Sequence, residues 1–414
     1  MVEIKLPKYV ESILETLNEF GYASYVVGGA VRDALVGNEP KDWDIATDAT
    51  PDQVEEIFAQ TIPTGKKYGT ITVVWSSEDG MRDDYCEVTT FRADGNYSDG
   101  RRPDEVTFGK NILEDLNRRD FTMNAMAYNT LVGLVDPHNG SGCLKAGILE
   151  SVGNPLDRFK EDALRVLRAI RFALRYRLDL ADGLTRAIKD AIELGLLDNV
   201  SRERIHDELT KILQYTQGNK NIVDYAAEPL FEYLFGKVTY KGSVGRILDS
   251  KDPIITKLYQ LFRLYGKASY EAEIWMREYK YSTADIKEIT NFYKLSTLLG
   301  AHQNEDKTQD DVEYTCRIML NKFPLATLND YMVLLESDSP YKLGIVKNLN
   351  QPYRLSDLKL NGDKVKAILS KLDPNYKETD IGTVLNFLME EVLREPSLNT
   401  VQNLTKKVKY LYGQ

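Results

Sequence analysis

KDWDIAT, residues 41–47, follows YVVGGAVRDALVG, residues 25–37. Read as a strand, the first stretch sets Asp42 and Asp44 on one face and Trp43 and Ile45 on the other, because side chains two apart point the same way. Two carboxylates held that close repel each other unless a cation sits between them. Mg²⁺ is the ordinary solution, since it takes hard oxygen ligands and keeps water and phosphate in the rest of its shell. A solvent-facing pair on an edge strand is the plainer reading of a bare DxD. Upstream, YVV, Gly28-Gly29 and AVRDALVG read as a strand, a tight turn and a helix start. That geometry turns backbone N–H groups toward an anion, and Arg32, one turn in, adds a charged fork. No Walker-type lysine follows the glycines, so a plain strand-to-helix turn is the competing account.

Around this pair the first 140 residues mix both periodicities. Residues 8–19 and 51–59 read as helices, the second starting with Pro51 in its first turn. YASYVVGG (22–29), YGTITVVW (68–75), YCEVTTFR (85–92) and MNAMAYNTLVGLVD (123–136) are rich in Val, Ile, Thr and Tyr and read as strands. Glu87 in the third of these is a candidate third carboxylate, which a two-metal site uses to complete a shell or accept a proton. Arg118-Arg119-Asp120 is a dense charge cluster, either a surface ion-pair group or a contact for phosphate and sugar. After Pro155 the pattern is helical to the end. RFKEDALRVLRAIRF (158–172) predicts one helix with Ala163, Val166, Leu167, Ile170 and Leu174 on its apolar face and Arg165, Arg168, Arg171 and Arg175 on a flank. Asp162 and Arg165 are surface neighbours there, either as a small salt bridge or as an edge that accepts from and donates to a nucleobase.

With 414 residues the chain is long enough for two to four domains, and 43% hydrophobic residues provide for real cores. No apolar run reaches the length of a membrane span, and the N-terminus reads as an amphipathic helix without the apolar core of a signal peptide. Cys86, Cys143 and Cys316 are scattered, which argues against a disulfide framework or structural zinc and fits a reducing cytoplasm. The net charge of −10 lowers the expectation of nucleic-acid binding, but residues 158–177 carry seven basic side chains against two acidic ones. His138, His206 and His302 are too far apart for a phosphohydrolase centre of HD type. The Tyr-rich segment LYQLFRLYGKASYEAEIWMREYKY (258–281) reads as core, with RNA stacking as the alternative.

GGAVRD (28–33), DWD (42–44), EVTTFR (87–92), RRDFTMNA (118–125) and EDALRVLRAIRF (161–172), in that order, resemble the motif series of the class II tRNA nucleotidyltransferase and poly(A) polymerase family. SRERIHDELTKIL (201–213) is similar to the helical motif that closes the neck of that family. The resemblance implies an α+β fold. A DNA polymerase beta-like nucleotidyltransferase head at 1–145 would precede an all-α neck at 146–215, body at 216–345 and tail at 346–414. It implies that Asp42 and Asp44 hold two Mg²⁺ ions with Glu87 as the third acid. Gly28, Gly29 and Arg32 would cradle the triphosphate together with Arg119. Asp162 and Arg165 would read the incoming base, with Arg168 and Arg171 binding nucleotide phosphate and shaping the pocket. The activity implied is untemplated addition of C, C and A to the 3′ end of tRNA from CTP and ATP in the cytoplasm. The tail would hold the tRNA elbow, and no obligate protein partner is evident. An A-adding enzyme, a poly(A) polymerase and a silent RNA-binding relative are the alternatives. FRADGNYSDGRRPDEVTFG (91–109), a loop of full length, favours CCA addition or A addition alone, and the complete acidic triad speaks against silence.

Overall fold

The computed structural model describes residues 3–76, 83–92, 108–109, 111–215, 222, 226–240, 242–300, 308–373 and 375–412. These form two compact units. The first comprises Met1–Lys251, Leu261–Lys267 and Glu278–Lys280, and the second Asp252–Gln260, Ala268–Arg277 and Tyr281–Gln414.

The first unit opens with α1 (Lys8–Glu19), β1 (Ser24–Val27), α2 (Gly29–Leu35), β2 (Asp44–Thr47), α3 (Pro51–Ile57), β3 (Thr61–Ile62), β4 (Thr70–Ser76) and β5 (Asp83–Thr90). It continues through α4 (Ile112–Asn117), β6 (Ala127–Asn129), β7 (Gly133–Val135) and α5 (Gly140–Ala146). The strands make one sheet in the order β3-β4-β5-β2-β1-β6-β7. Both predicted early helices form, and Thr50 starts α3 with a reciprocal capping box to Gln53 ahead of Pro51. The last expected strand is instead the hairpin β6–β7, preceded by a short 3₁₀ turn at Thr122–Asn124. One face of the sheet buries Val26, Ile45, Ile71, Val73 and Val88 with Trp43 and the apolar side of α1. The other packs Val27 and Ala46 against Phe91, Ile112, Leu116 and Ala125. The pairing that matters for the site is β2 with β5, which run parallel and set Asp44 opposite Glu87.

Four helices follow: α6 (Pro155–Glu161), α7 (Leu164–Tyr176), α8 (Asp182–Glu193) and α9 (Arg202–Gln214). The single helix expected over 158–172 is broken. Asp162 is extended at φ −149° and ψ 101°, and its carboxylate accepts from the Leu164 N–H at 3.1 Å to begin a new helix. The apolar stripe survives the break, since Ala163, Val166, Leu167, Ile170 and Leu174 are all buried.

The second unit is helical. Tyr259, Phe292, Tyr293 and Tyr331 pack edge-to-face or tilted inside it. Across 258–281 most of the aromatics are buried, as the core reading predicts, and Tyr270 is exposed. Near the C-terminus a separate cluster gathers Leu360, Val365, Leu369, Leu388, Val392 and Leu404. Arg317 is buried and caps the helix Glu378–Arg394, donating from Nε to the Leu393 carbonyl at 2.6 Å and from Nη1 to Asn348 Oδ1 at 3.0 Å. No described helix is long and apolar enough to cross a membrane.

Candidate active site

The strand expected over KDWDIAT begins only at Asp44 and buries Ile45, Ala46 and Thr47, so the alternation holds for residues 42–45 alone. Trp43 and Ile45 are buried, and Asp42 and Asp44 are exposed. The parallel register then sets Glu87 beside Asp44 on the same open face. Asp44 reaches solvent but is crowded by protein. Its carboxyl is pushed up to about 6, first by that partial burial and then by the negative charge of Glu87. Arg119 pulls it down, and Asp42 adds to the rise. The trio is short of positive charge, and its hard oxygen donors suit a divalent cation. Among the described residues no group of three or more Asp, Glu, His or Cys side chains is arranged to hold a metal ion. The fit to a divalent cation rests on Asp44 and Glu87, two hard oxygen donors set side by side, with the rest of a shell left to water and phosphate.

Asp44 and Glu87 lie on the wall of a cavity of about 560 Å³ that also takes in Gly28, Gly29, Arg32, Arg119, Asp162, Arg165 and Arg168. Gly28 has φ +68° and ψ −121°, and a Cβ there would lie 2.6 Å from Arg119 Nη1. Only glycine serves both demands. Arg119 is held by Asp115, whose Oδ2 accepts from Nε at 3.2 Å and Nη2 at 2.8 Å. Arg118 grips the other oxygen of the same carboxylate. Burial would raise the Asp115 carboxyl, but the Arg119 and Arg118 charges outweigh it and hold it below the usual range. Arg32 donates to Asp33 at 3.0 Å and to Asn124 Oδ1, and its guanidinium lies over the Tyr176 ring at 4.6 Å. The Tyr176 hydroxyl donates to the same Asp33 oxygen at 2.6 Å.

The opposite wall comes from Asp162, α7 and α9. Asp162 and Arg165 do not pair with each other. The Asp162 Oδ2 accepts from Arg204 Nη2 at 2.8 Å. Arg165 donates to Glu161 at 2.6 Å and to the carbonyls of Arg158 and Arg118. Arg168 donates twice to Asp120 Oδ2, at 2.8 and 2.5 Å. Burial would raise the Asp120 carboxyl, yet the Arg168 charge and the bonds from Asn124 and Arg168 hold it at about 2. The RRD cluster is thus no surface group, because Asp115 and Asp120 are buried. Arg171 turns away from the cavity into a buried ion pair with Glu208 at 2.6 Å.

Asn124, Asp115 and Arg204 were not singled out from the sequence. Asn124 joins two walls: its Oδ1 accepts from Arg32, and its Nδ2 donates to Asp120 at 2.9 Å. Its position inside RRDFTMNA was the available signal. The loop 91–109 falls outside the described residues apart from positions 91, 92, 108 and 109.

Residues 24–150 match the family described as "Poly A polymerase head domain", and residues 178–240 match "Probable RNA and SrmB- binding site of polymerase A". A CCA-adding enzyme of Lactobacillus helveticus is 36% identical over 306 residues, covering 71% of this chain and 72% of that protein. One from Bacillus pumilus is 39% identical over 282 residues, covering 67% and 68%. Among solved structures, the Bacillus stearothermophilus CCA-adding enzyme in complex with CTP superposes with a TM-score of 0.68 at 25% identity, covering 98% of each chain. The Thermotoga maritima CCA-adding enzyme complexed with tRNA shares the fold, with a TM-score of 0.70 at 22% identity, covering 99% of this chain and 97% of that one. Identity of this level over two thirds of both partners, on the same fold, means that the chain belongs to the CCA-adding enzymes, tRNA nucleotidyltransferases of the poly(A) polymerase family.

Proposed function

We propose that this enzyme completes the 3′ end of tRNA with C, C and A from CTP and ATP, without a nucleic-acid template, at the cavity bounded by Asp44, Glu87, Arg119 and Asp162. The carrying observation is the β2–β5 register, which brings Asp44 and Glu87 together facing an arginine-lined cavity. Asp42, Asp44 and Glu87 would hold two Mg²⁺ ions, and these would supply a lowered pKa at the primer hydroxyl and charge neutralisation at the triphosphate. Gly28 and Gly29 let the triphosphate approach the backbone, and Arg32 and Arg119 orient it from their carboxylate and amide anchors. The 3′-hydroxyl oxygen attacks the α-phosphorus in line as its proton passes to Glu87, the bond to the β-phosphate oxygen breaks, and pyrophosphate leaves. Asp162 accepts from the exocyclic amine of cytosine or adenine, and Arg165 donates to the ring nitrogen or carbonyl. Arg168 shapes the pocket from its anchor on Asp120. Arg171, facing Glu208, contributes by fixing α7 against α9. In this reading residues 1–145 are the catalytic head, 146–215 the neck that reads the base, 216–345 the body, and 346–414 the tail on the tRNA elbow. A tRNA substrate and three free thiols fit a cytoplasmic setting.

The test uses one tRNA ending before CCA, after the first C, or after CC, incubated with Mg²⁺ and CTP, ATP or both. Growth of the shortest form by C, C and A, stopping there, is expected. Extension of the CC form alone would mean an A-adding enzyme, and an open A ladder a poly(A) polymerase. Asp42→Ala should abolish addition while tRNA binding survives. Full activity in that variant would sink the metal assignment.

A further inference from the structure

Asp162 sits in the break between α6 and α7, so neither helix fixes its carboxylate by continuing through it. Two bonds hold it. Oδ1 accepts from the Leu164 N–H at 3.1 Å, within the same turn. Oδ2 accepts from Arg204 Nη2 at 2.8 Å, and Arg204 belongs to a different helix, α9. Arg204 also lines the cavity, and its side chain, like that of Asp162, is mostly buried.

A carboxylate has about four lone-pair positions, so two bonds leave room for the amine of an incoming base. Cytosine and adenine offer a donor there. Uracil and guanine offer a carbonyl, which an oxygen held in place repels. That rejection works only while the carboxylate cannot swing aside. Resting on the assignment of Asp162 as a base reader, we propose that Arg204 is a specificity-determining positioning residue, locking the Asp162 carboxylate so that the site accepts an amine and refuses a carbonyl. Arg165 has separate anchors on Glu161 and on the Arg158 and Arg118 carbonyls. Loss of Arg204 should therefore disable the amine-reading half of the edge and spare the other.

The experiment measures single-nucleotide addition of CTP and UTP to tRNA ending before CCA, in wild type, Arg204→Ala, Arg204→Lys, Asp162→Ala and the double variant. In Arg204→Ala the preference for CTP over UTP should fall about tenfold, the size of one charge-assisted hydrogen bond. The loss should appear in the KM for CTP, with kcat and the KM for tRNA little changed. Arg204→Lys should recover part of the preference. The double variant should match Asp162→Ala, since the two act as one unit. Arg204→Gln, of similar length and uncharged, replaces the alanine variant should that one fail to fold. Selectivity retained in Arg204→Ala but lost in Asp162→Ala would overturn the lock alone. A rise in the KM for tRNA with selectivity intact would make Arg204 an RNA contact and overturn it as well. Normal selectivity in Asp162→Ala would overturn the base reader and the lock together.

Discussion

Asp120→Asn is nearly isosteric, yet it should be costly. Oδ1 of Asp120 accepts from the Phe121 N–H and from Asn124 Nδ2, each at 2.9 Å. Oδ2 accepts from Arg168 Nε and Nη2. Four donors thus occupy the four lone-pair positions of the carboxylate. An amide has one oxygen, so whichever way it turns, its NH₂ faces two donors. It also strips Arg168 of its counter-charge. Breaking a buried pair costs about 3–5 kcal/mol. The Arg168 side chain is 33% exposed, so water recovers part of that. The folded carboxyl titrates at about 2 against an ordinary 3.8. That difference is worth about 2 kcal/mol on its own. A total loss of about 2–3 kcal/mol should lower Tm by about 4–10 °C for a unit of this size. Because the folded value lies below the unfolded one, the stabilisation is full above about pH 4 and is lost as pH falls through about 2. Thermal melts of wild type and variant should therefore differ by a constant amount from pH 8 to 5, with the gap closing below about pH 4. A gap at neutral pH of less than about 1 °C, or one that widens on acidification, would refute the argument.

Gly28→Ala combines a positive φ with a Cβ placed 2.6 Å from Arg119 Nη1. Strain of about 1–3 kcal/mol and a displaced guanidinium should lower Tm and raise the nucleotide KM, both read in one preparation. Gly29→Ala, whose Cβ meets only Arg32 Nη2 at 3.4 Å, should do markedly less, and equal effects would contradict the geometry. Glu208→Gln should destabilise the fold by about 3 kcal/mol, since it leaves Arg171 buried without its partner. Its nucleotide KM should stay close to wild type. A changed KM at unchanged Tm would instead put Arg171 on the nucleotide.

What was legible in the sequence was what is local. Trp43 and Ile45 are buried and Asp42 and Asp44 exposed, as the alternation requires, although the strand itself begins at Asp44 and buries Ala46 and Thr47 too. The apolar stripe of α7 follows from the 3.6 period in the same way. The parallel register of β2 with β5 was not legible, because nothing in either strand specifies its neighbour. The break at Asp162 escaped notice because EDALRV holds neither Gly nor Pro, so the helical period runs on through it. The chain leaves the helix there as Asp162, one residue before the N-cap of α7, accepts from the Leu164 N–H and is tied to Arg204, 42 residues away. Arg171 was placed beside Arg168 by spacing, but Glu208 draws it to the other side. Arg118-Arg119-Asp120 left open a surface ion-pair group or a phosphate and sugar contact, and the buried Asp115, three and four residues before the arginines, anchors both of them.

Ion pairs of this kind, local and long-range, also resolve how a chain of net charge −10 can hold a triphosphate. Arg32, Arg119, Arg165, Arg168 and Arg204 each rest on a protein carboxylate: Asp33, Asp115, Glu161, Asp120 and Asp162. The cavity is therefore nearly neutral as built, and it does not rely on a bare positive field of the kind that binds any polyanion. Each guanidinium carries five N–H donors in a rigid plane, so a carboxylate can fix it with some and leave others aimed at the cavity. The anchoring cost is met on folding rather than on binding, which is what makes such a site preorganised. Lysine, a flexible point charge with three rotatable donors, lacks the rigid plane that divides anchoring from presenting N–H groups. On this account the acidic residues beneath the arginines matter as much as the arginines, and the acidity of the whole chain is compatible with an anionic substrate.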